Sequence, residues 1–264
     1  MTKTLTISIL SHERPDSLYW MLNSLKKLVR IENLEIFVCD NSINKSKEIL
    51  NLIPKFPEIS FYQDPGCSQS RNYLNAFDKS NSKYIAFFHD DDNFYTTKEW
   101  IKDTMNAVNA NKKDSLFYFD SISYSRSEPF FLHIPGAKII KPYCNGAFPF
   151  KNIIFPAWVY PKNNYLRSQI EANFGKGNYG KYVDIIFVEK LLEKYSYDCK
   201  KLKGLYLHVQ HEYSDSNTKD YRARFNLIIH TLKKNNFIYW PKLIIGFLFA
   251  VLNSNFKSLL LKAK

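Results

Sequence analysis

An α/β fold built on a mostly parallel sheet is what the sequence predicts, and three observations predict it. Short β-rich runs alternate with helical patterns over the first ~120 residues, the signature of βαβ units. Polar segments at 11–15, 40–42 and 90–92 each follow a predicted strand, and the crevice beyond the strand ends is where such sheets bind ligands. The 264 residues, 45% hydrophobic and 16% aromatic, suffice for one sizeable core and exclude a disordered chain.

Taken in order, TLTISIL (4–10) reads as the first strand. A helix starts near Asp16 or Ser17, with an apolar stripe through Leu18, Met21, Leu22, Leu25 and Leu28 at helical spacing. LEIFVCD (34–40) is a second strand, followed by a helix over about 45–53 that stops at Pro54. ISFYQ (59–63) is a third strand, and a helix is entered through the Pro65-Gly66 turn. KYIAFFH (83–89) is the fourth strand and runs directly into Asp90, Asp91 and Asp92.

The second half is less regular. Residues 115–160, rich in Phe, Tyr, Ile and Pro, suit antiparallel strands and long loops. A helix over about 183–195 follows the glycine-bearing segment 174–182, then come a strand at 202–209, a helix at about 218–234 and a hydrophobic tail. No internal repeat is present.

The charge balance, 37 Lys and Arg against 25 Asp and Glu for a net +12, points to a polyanionic partner such as a membrane surface, a nucleotide or a nucleic acid. Its distribution separates these: residues 221–264 hold eight basic residues and no acid, so the main body is close to neutral. Cys39, Cys67, Cys144 and Cys199 form no CxxC pair, which argues against a zinc site or a disulfide framework and predicts a reducing cytosol. The first residues lack the apolar core of a signal peptide, so export is not expected.

Three adjacent carboxylates at a strand end repel one another unless a cation or an array of donors neutralises them. Hard divalent ions such as Mg²⁺ or Mn²⁺ take oxygen ligands of this kind. The alternative is a solvated acidic turn that caps the helix near Thr97.

The segments TISILSHERPDSLYWMLNSL, EIFVCDNS, GCSQSRNYLNAF and KYIAFFHDDDNF together resemble, in order and spacing, the N-terminal pattern of family 2 glycosyltransferases with the GT-A fold, over roughly residues 4–95. The resemblance implies a catalytic domain over residues 1–215, its nucleotide-binding part about 1–120 and its antiparallel acceptor part about 120–215, with 216–264 as a helical basic and hydrophobic tail. It implies that Ser11, His12, Glu13 and Arg14 line the base and ribose pocket, HER standing where the family usually has YNR. Asp40, beside Ser42, matches the acid that reads the base. A carboxylate accepts the imide N–H of uracil or thymine, which cytosine lacks, so UDP is favoured and dTDP remains open. Arg71 matches a cation near ribose or diphosphate; Asp90 and Asp91 face ribose and metal; Asp92 is the principal ligand of Mn²⁺ or Mg²⁺. Capping of the next helix by Asp40 and Ser42, and a surface role for Arg71, are the structural alternatives.

In this family a carboxylate at a helix start takes the proton from the acceptor hydroxyl. Asp184, 92 residues after Asp92 and in VD where the family has ED, matches that base, with an ordinary N-cap as the alternative. Some GT-A enzymes add a histidine after the last core strand as a metal ligand, and His211 rather than His208 lies beyond the strand end.

The apolar run 243–252 is about half of the ~20 residues needed to cross a bilayer. With Tyr239, Trp240 and flanking lysines it reads as interfacial on an anionic leaflet; a helix packed on the core or in a dimer is the alternative. The expectation is an inverting, metal-dependent glycosyltransferase that takes a nucleotide-sugar donor and a glycan or lipid-linked acceptor in surface polysaccharide (lipopolysaccharide or capsule) assembly. It would be cytoplasmic, peripheral on the inner face of the membrane, and without a nucleic-acid partner. A sugar nucleotidyltransferase would open with a glycine-rich basic loop, which residues 8–15 lack. A non-catalytic membrane-binding module would leave the aspartates unexplained.

Overall fold

Strand β1 (Lys3–Ser11) is buried at every position from Thr4 onward. A strand with both faces covered belongs in the middle of a parallel sheet. The computed structural model, which describes residues 2–111, 113–125, 131–134, 158–174, 183–195 and 199–210, puts β1 between β2 (Leu34–Asp40) and β4 (Ser82–His89), parallel to both. Strand β3 (Ser60–Gln63) adds in parallel to the outer side of β2.

Helix α1 (Pro15–Leu25) begins with proline in its first turn, where no N–H is needed. Its predicted stripe of Leu18, Met21, Leu22 and Leu25 is buried. Helix α2 (Ser46–Leu50) is shorter than expected, and Pro54 lies in a separate 3₁₀ turn at Ile53–Lys55, because a residue before proline is disfavoured in α conformation. Helix α3 (Gln69–Lys79) starts at Ser68, whose hydroxyl accepts from the Arg71 N–H.

Strand β5 (Asn93–Tyr95) follows the aspartates and was not expected, since three residues show no measurable alternation. Helix α4 (Lys98–Asn109) comes next, capped by Thr97. The remaining described elements are β6 (Leu116–Ser125), β7 (Phe131–Ile134), β8 (Trp158–Pro161), α5 (Asn164–Phe174), α6 (Val183–Lys194) and β9 (Cys199–Gln210). Helix α5 was also not anticipated; Asn163 begins it by accepting from the Leu166 N–H at 3.0 Å.

Among the described residues the sheet has nine strands in the order β3-β2-β1-β4-β8-β6-β9-β5, with β7 on β6. The first four are parallel, while β8 and β5 pair antiparallel to their neighbours. This is the GT-A arrangement, with its antiparallel portion in the second half as expected. The helix expected at 218–234 and the tail lie outside the described residues.

Aromatic packing ties the helices to the sheet. Tyr73 of α3 stacks on Phe174 of α5 at 4.4 Å and meets Phe87 of β4 edge-on. Phe174 in turn contacts Phe187 of α6, which packs on Tyr160 of β8. Each fully buried ring of this kind contributes about 1.5–3 kcal/mol, so α6 is anchored to α5 and to β8, the strand paired with β4.

Gly204 in β9 has φ 153°, and a Cβ there would sit 2.9 Å from the Phe119 ring and 3.0 Å from that of Phe94. Opposite it, the β6–β9 register shifts between Tyr118 and Asp120. Only glycine allows this close approach, and it lets Tyr206, two residues on, pair with Phe94 across β5.

Candidate active site

Parallel register fixes where the polar segments emerge. Ser11 pairs with Asp40, and Leu10 pairs with His89, so the ends of β1, β2 and β4 open at one edge.

The first loop crosses the other two by hydrogen bonds. The His12 N–H donates to Asp90 Oδ2 at 2.9 Å, and its Nδ1 lies 3.0 Å from Asn41 Oδ1. The Glu13 N–H donates to Ser42 Oγ at 2.6 Å, and that hydroxyl donates to Asp40 Oδ1 at 2.7 Å. Asp40 is fully buried and also accepts from Gln63 Nε2 at 2.8 Å. Asp40 and Ser42 therefore serve the strand-end network and do not cap α2. Glu13, at φ 57°, braces the loop that leads into α2: its carboxylate accepts from the N–H groups of Ile43, Asn44 and Lys45 at 2.7–2.9 Å. Desolvation works the other way, but the donors at Asn44, Ile43 and Lys45 hold the Glu13 carboxyl below its ordinary value.

The aspartates differ in surroundings. Asp90 is 1% exposed; burial pushes its carboxyl up to about 7, Arg14 opposing, Asp91 adding to the rise and the His12 N–H opposing. Arg14 pairs with Asp91 and lies 3.5 Å from Asp90 Oδ1. Desolvation opposes its charge, but the two carboxylates hold the guanidinium above its ordinary value. Asp92 is buried and accepts from the Tyr206 hydroxyl at 2.5 Å. Burial, then the charge and hydrogen bond of Asp92, push the Tyr206 phenol well above its ordinary value, so it remains a donor. The helix near Thr97 is capped by the Thr97 hydroxyl at the Trp100 N–H, which leaves the aspartates with no capping duty there.

His89, Asp91 and Asp92 each offer a ligand atom, and these atoms lie within 4.8 Å of one another. His89 Nδ1 is 3.7 Å from Asp92 Oδ2, while Nε2 meets the Tyr73 hydroxyl at 2.9 Å. A hydrogen bond at the far ring nitrogen fixes the orientation of the imidazole and its tautomer. Two carboxylates and an imidazole suit a divalent cation, and imidazole favours Mn²⁺ over Mg²⁺, which prefers an all-oxygen set.

Of the sequence-predicted residues, Ser11, His12, Glu13, Arg14, Asp40, Ser42, Asp90, Asp91 and Asp92 form one connected edge. Arg71 stands in the first turn of α3, exposed, its Nε 4.0 Å from Asp64 Oδ2. Asp184 is the second residue of α6. His211 lies outside the described residues. His89, Tyr73, Tyr206, Asn41 and Gln63 were not singled out from the sequence. His89 carried a detectable signal as a polar residue closing an apolar strand; Tyr206 looks like any core aromatic. Cys39, Cys67 and Cys199 are free thiols; Cys144 lies outside the described residues.

Residues 6–150 match the profile of Glycosyl transferase family 2, more than half of the chain, and the protein belongs to that family. No curated protein matches the sequence. Among solved structures, S. aureus TarS 1–349 in complex with UDP is similar at 13% identity and TM-score 0.57, covering 93% of this chain and 70% of that one. S. aureus TarS is similar at 13% identity and TM-score 0.56, covering 93% of this chain and 43% of that one, so the chain spans less than half of TarS. Glucosyl-3-phosphoglycerate synthase from Mycobacterium tuberculosis, in complex with Mn²⁺, UDP and phosphoglyceric acid, is similar at 9% identity and TM-score 0.54, covering 87% of this chain and 78% of that one. These likenesses show the fold.

Proposed function

We propose that the protein is an inverting, divalent-metal-dependent glycosyltransferase that moves a sugar from a nucleoside-diphosphate donor, UDP before dTDP, to a hydroxyl of a glycan or lipid-linked acceptor. The observation that carries this is the convergence of three strand ends, which brings the His89, Asp91 and Asp92 ligand atoms at the end of β4, within 4.8 Å of one another, to the same sheet edge as the Asp40 network at the end of β2. The complexes of related folds with UDP, and of one with Mn²⁺, support the donor and the ion.

Asp40 reads the base. Its Oδ2 now accepts from the half-exposed Gln63 amide, and the imide N–H of uracil presents the same donor in exchange. Arg71, exposed on the first turn of α3, complements ribose or diphosphate. Ser42 and Glu13 keep the two nucleotide-side loops in register through their hydrogen bonds. Asp92, Asp91 and His89 would hold the ion, and the neighbouring Asp90 and Arg14 add one negative and one positive group to the local charge balance. When bound, the ion acts as a Lewis acid on the leaving diphosphate. Asp184, at the start of α6, accepts the proton of the acceptor hydroxyl as it attacks the anomeric carbon from the opposite side. A site that holds both reactants in line lowers the entropic part of the barrier.

The acid-free, lysine-bearing run beyond residue 236 supports an acceptor carried at an anionic membrane, as in surface polysaccharide assembly. Among the described residues no helix is long and apolar enough to cross a membrane. Calorimetric titration with UDP, with and without Mn²⁺, tests the proposal: tight binding only with the ion is expected, and ion-independent or absent binding would overturn it. A panel of nucleotide sugars, read by donor hydrolysis, then identifies the donor.

A further inference from the structure

Beside the aspartates lies a groove of about 360 Å³ whose walls come from α1 and β5. Its composition follows from two periodicities. In α1 the stripe of Leu18, Met21, Leu22 and Leu25 is buried, which turns Ser17, Trp20 and Ser24, spaced three and four apart, onto another face. In β5 Phe94 points into the core, so Asn93 and Tyr95 point the other way. Trp20 is 64% exposed and Tyr95 55% exposed, and both line this groove.

We infer that this groove is a subsite for a neutral saccharide, the part of the acceptor nearest the transferred sugar. The inference rests on the proposed transferase reading for its role, but the site is defined by its own chemistry. Its volume falls in the range of small-molecule sites, about 300–1,000 Å³. The faces of Trp20 and Tyr95 carry the negative part of the ring quadrupole and attract the weakly positive C–H face of a pyranose. Ser17, Asn23 and Asn93 offer the hydroxyl and amide groups that exchange hydrogen bonds with sugar hydroxyls. The described lining has no Lys or Arg, so the walls away from the proposed ion offer no cation to an acidic glycan or an anionic lipid headgroup, while its carboxylates accept hydroxyl donors. Trp20 meets the Tyr19 ring edge-on at 5.7 Å and still leaves most of its own surface open to solvent, as Tyr95 does on the facing wall.

The test uses the full chain, neutral oligosaccharides without lipid, and the indole N–H resonances, with that of Trp20 identified by its absence in Trp20→Phe. A neutral oligosaccharide should shift the Trp20 resonance. Trp20→Ala and Tyr95→Ala should each raise the acceptor KM or saccharide Kd about tenfold, with Trp20→Phe keeping most of the affinity and Kd for UDP with Mn²⁺ unchanged in all three. Both side chains are exposed, so the variants fold, which circular dichroism checks. If UDP binds and no saccharide moves the Trp20 resonance, or if the alanine variants keep wild-type acceptor KM, the subsite assignment is overturned. Self-association that disappears in Trp20→Ala would overturn it in favour of an interface between copies. Should UDP fail to bind while a saccharide still shifts Trp20, the transferase reading falls and the subsite stands.

Discussion

Asp92 is the residue in which location and partners agree most closely. It is buried, bonded to Tyr206 and grouped with His89 and Asp91. Asp92→Asn keeps the shape but weakens the ligand set, so Mn²⁺-dependent UDP binding and turnover should be lost in calorimetry and donor assays while the melting curve stays cooperative. Asp90 makes a separate prediction. Its carboxyl ionises at about 7 in the folded chain against an ordinary 3.8, so the metal-free native state holds a proton that the unfolded chain has released. The metal-free protein is accordingly stabilised in full below about pH 4 by this group and loses that contribution as pH rises towards 7. Asp90→Asn removes the effect: its unfolding free energy relative to wild type should rise between pH 4 and 8 by about 2–4 kcal/mol, measured by denaturant titration without metal. The aspartates were legible because like charge at a strand end demands an explanation. His89 was read only as the last residue of an apolar strand, and its proposed ligand role depends on Tyr73 of α3 engaging Nε2.

Among the elements, the first four strands and helices α1 and α3 were legible, because each has a strong period and a clear stop. β5 and α5 were not: one is three residues long, and the other sits after a segment whose aromatic content obscures helical spacing. Helix α6 was expected, and Asp184 stands at its second position. Asp184→Asn retains size but cannot take a proton, so turnover should fall by ~10²–10⁴ with donor Kd unchanged in calorimetry. Gly204 controls β9. An alanine there meets the Phe119 and Phe94 rings at 2.9–3.1 Å and forces a φ that side chains rarely adopt, so Gly204→Ala should cost about 2–4 kcal/mol and lower Tm by several degrees. Because Tyr206 follows two residues later, Mn²⁺ affinity should weaken in the same variant.

For the whole molecule, charge and hydropathy divide the chain at about residue 236. The prediction for the tail joins two measurements. Association with acidic vesicles should weaken with added salt, as screened charges require, and should vanish when the chain is cut after Asn236. Activity on a soluble acceptor fragment should survive that cut, since every proposed catalytic residue precedes it; a truncated protein that does not fold would place the segment in the core. By itself the sequence determined the α/β class, the parallel order of strand and helix in the first half, and the edge at which Asp40 and Asp90–Asp92 emerge. All of these follow from local period and from the rule that ligands meet strand ends. Only tertiary structure decided that Tyr206, 114 residues along the chain, donates to Asp92, that Glu13 holds the N–H groups of the loop before α2, and that Trp20 and Tyr95 share a groove. Those pairings depend on strand register and on which helix face the sheet covers, and neither is encoded within any one segment.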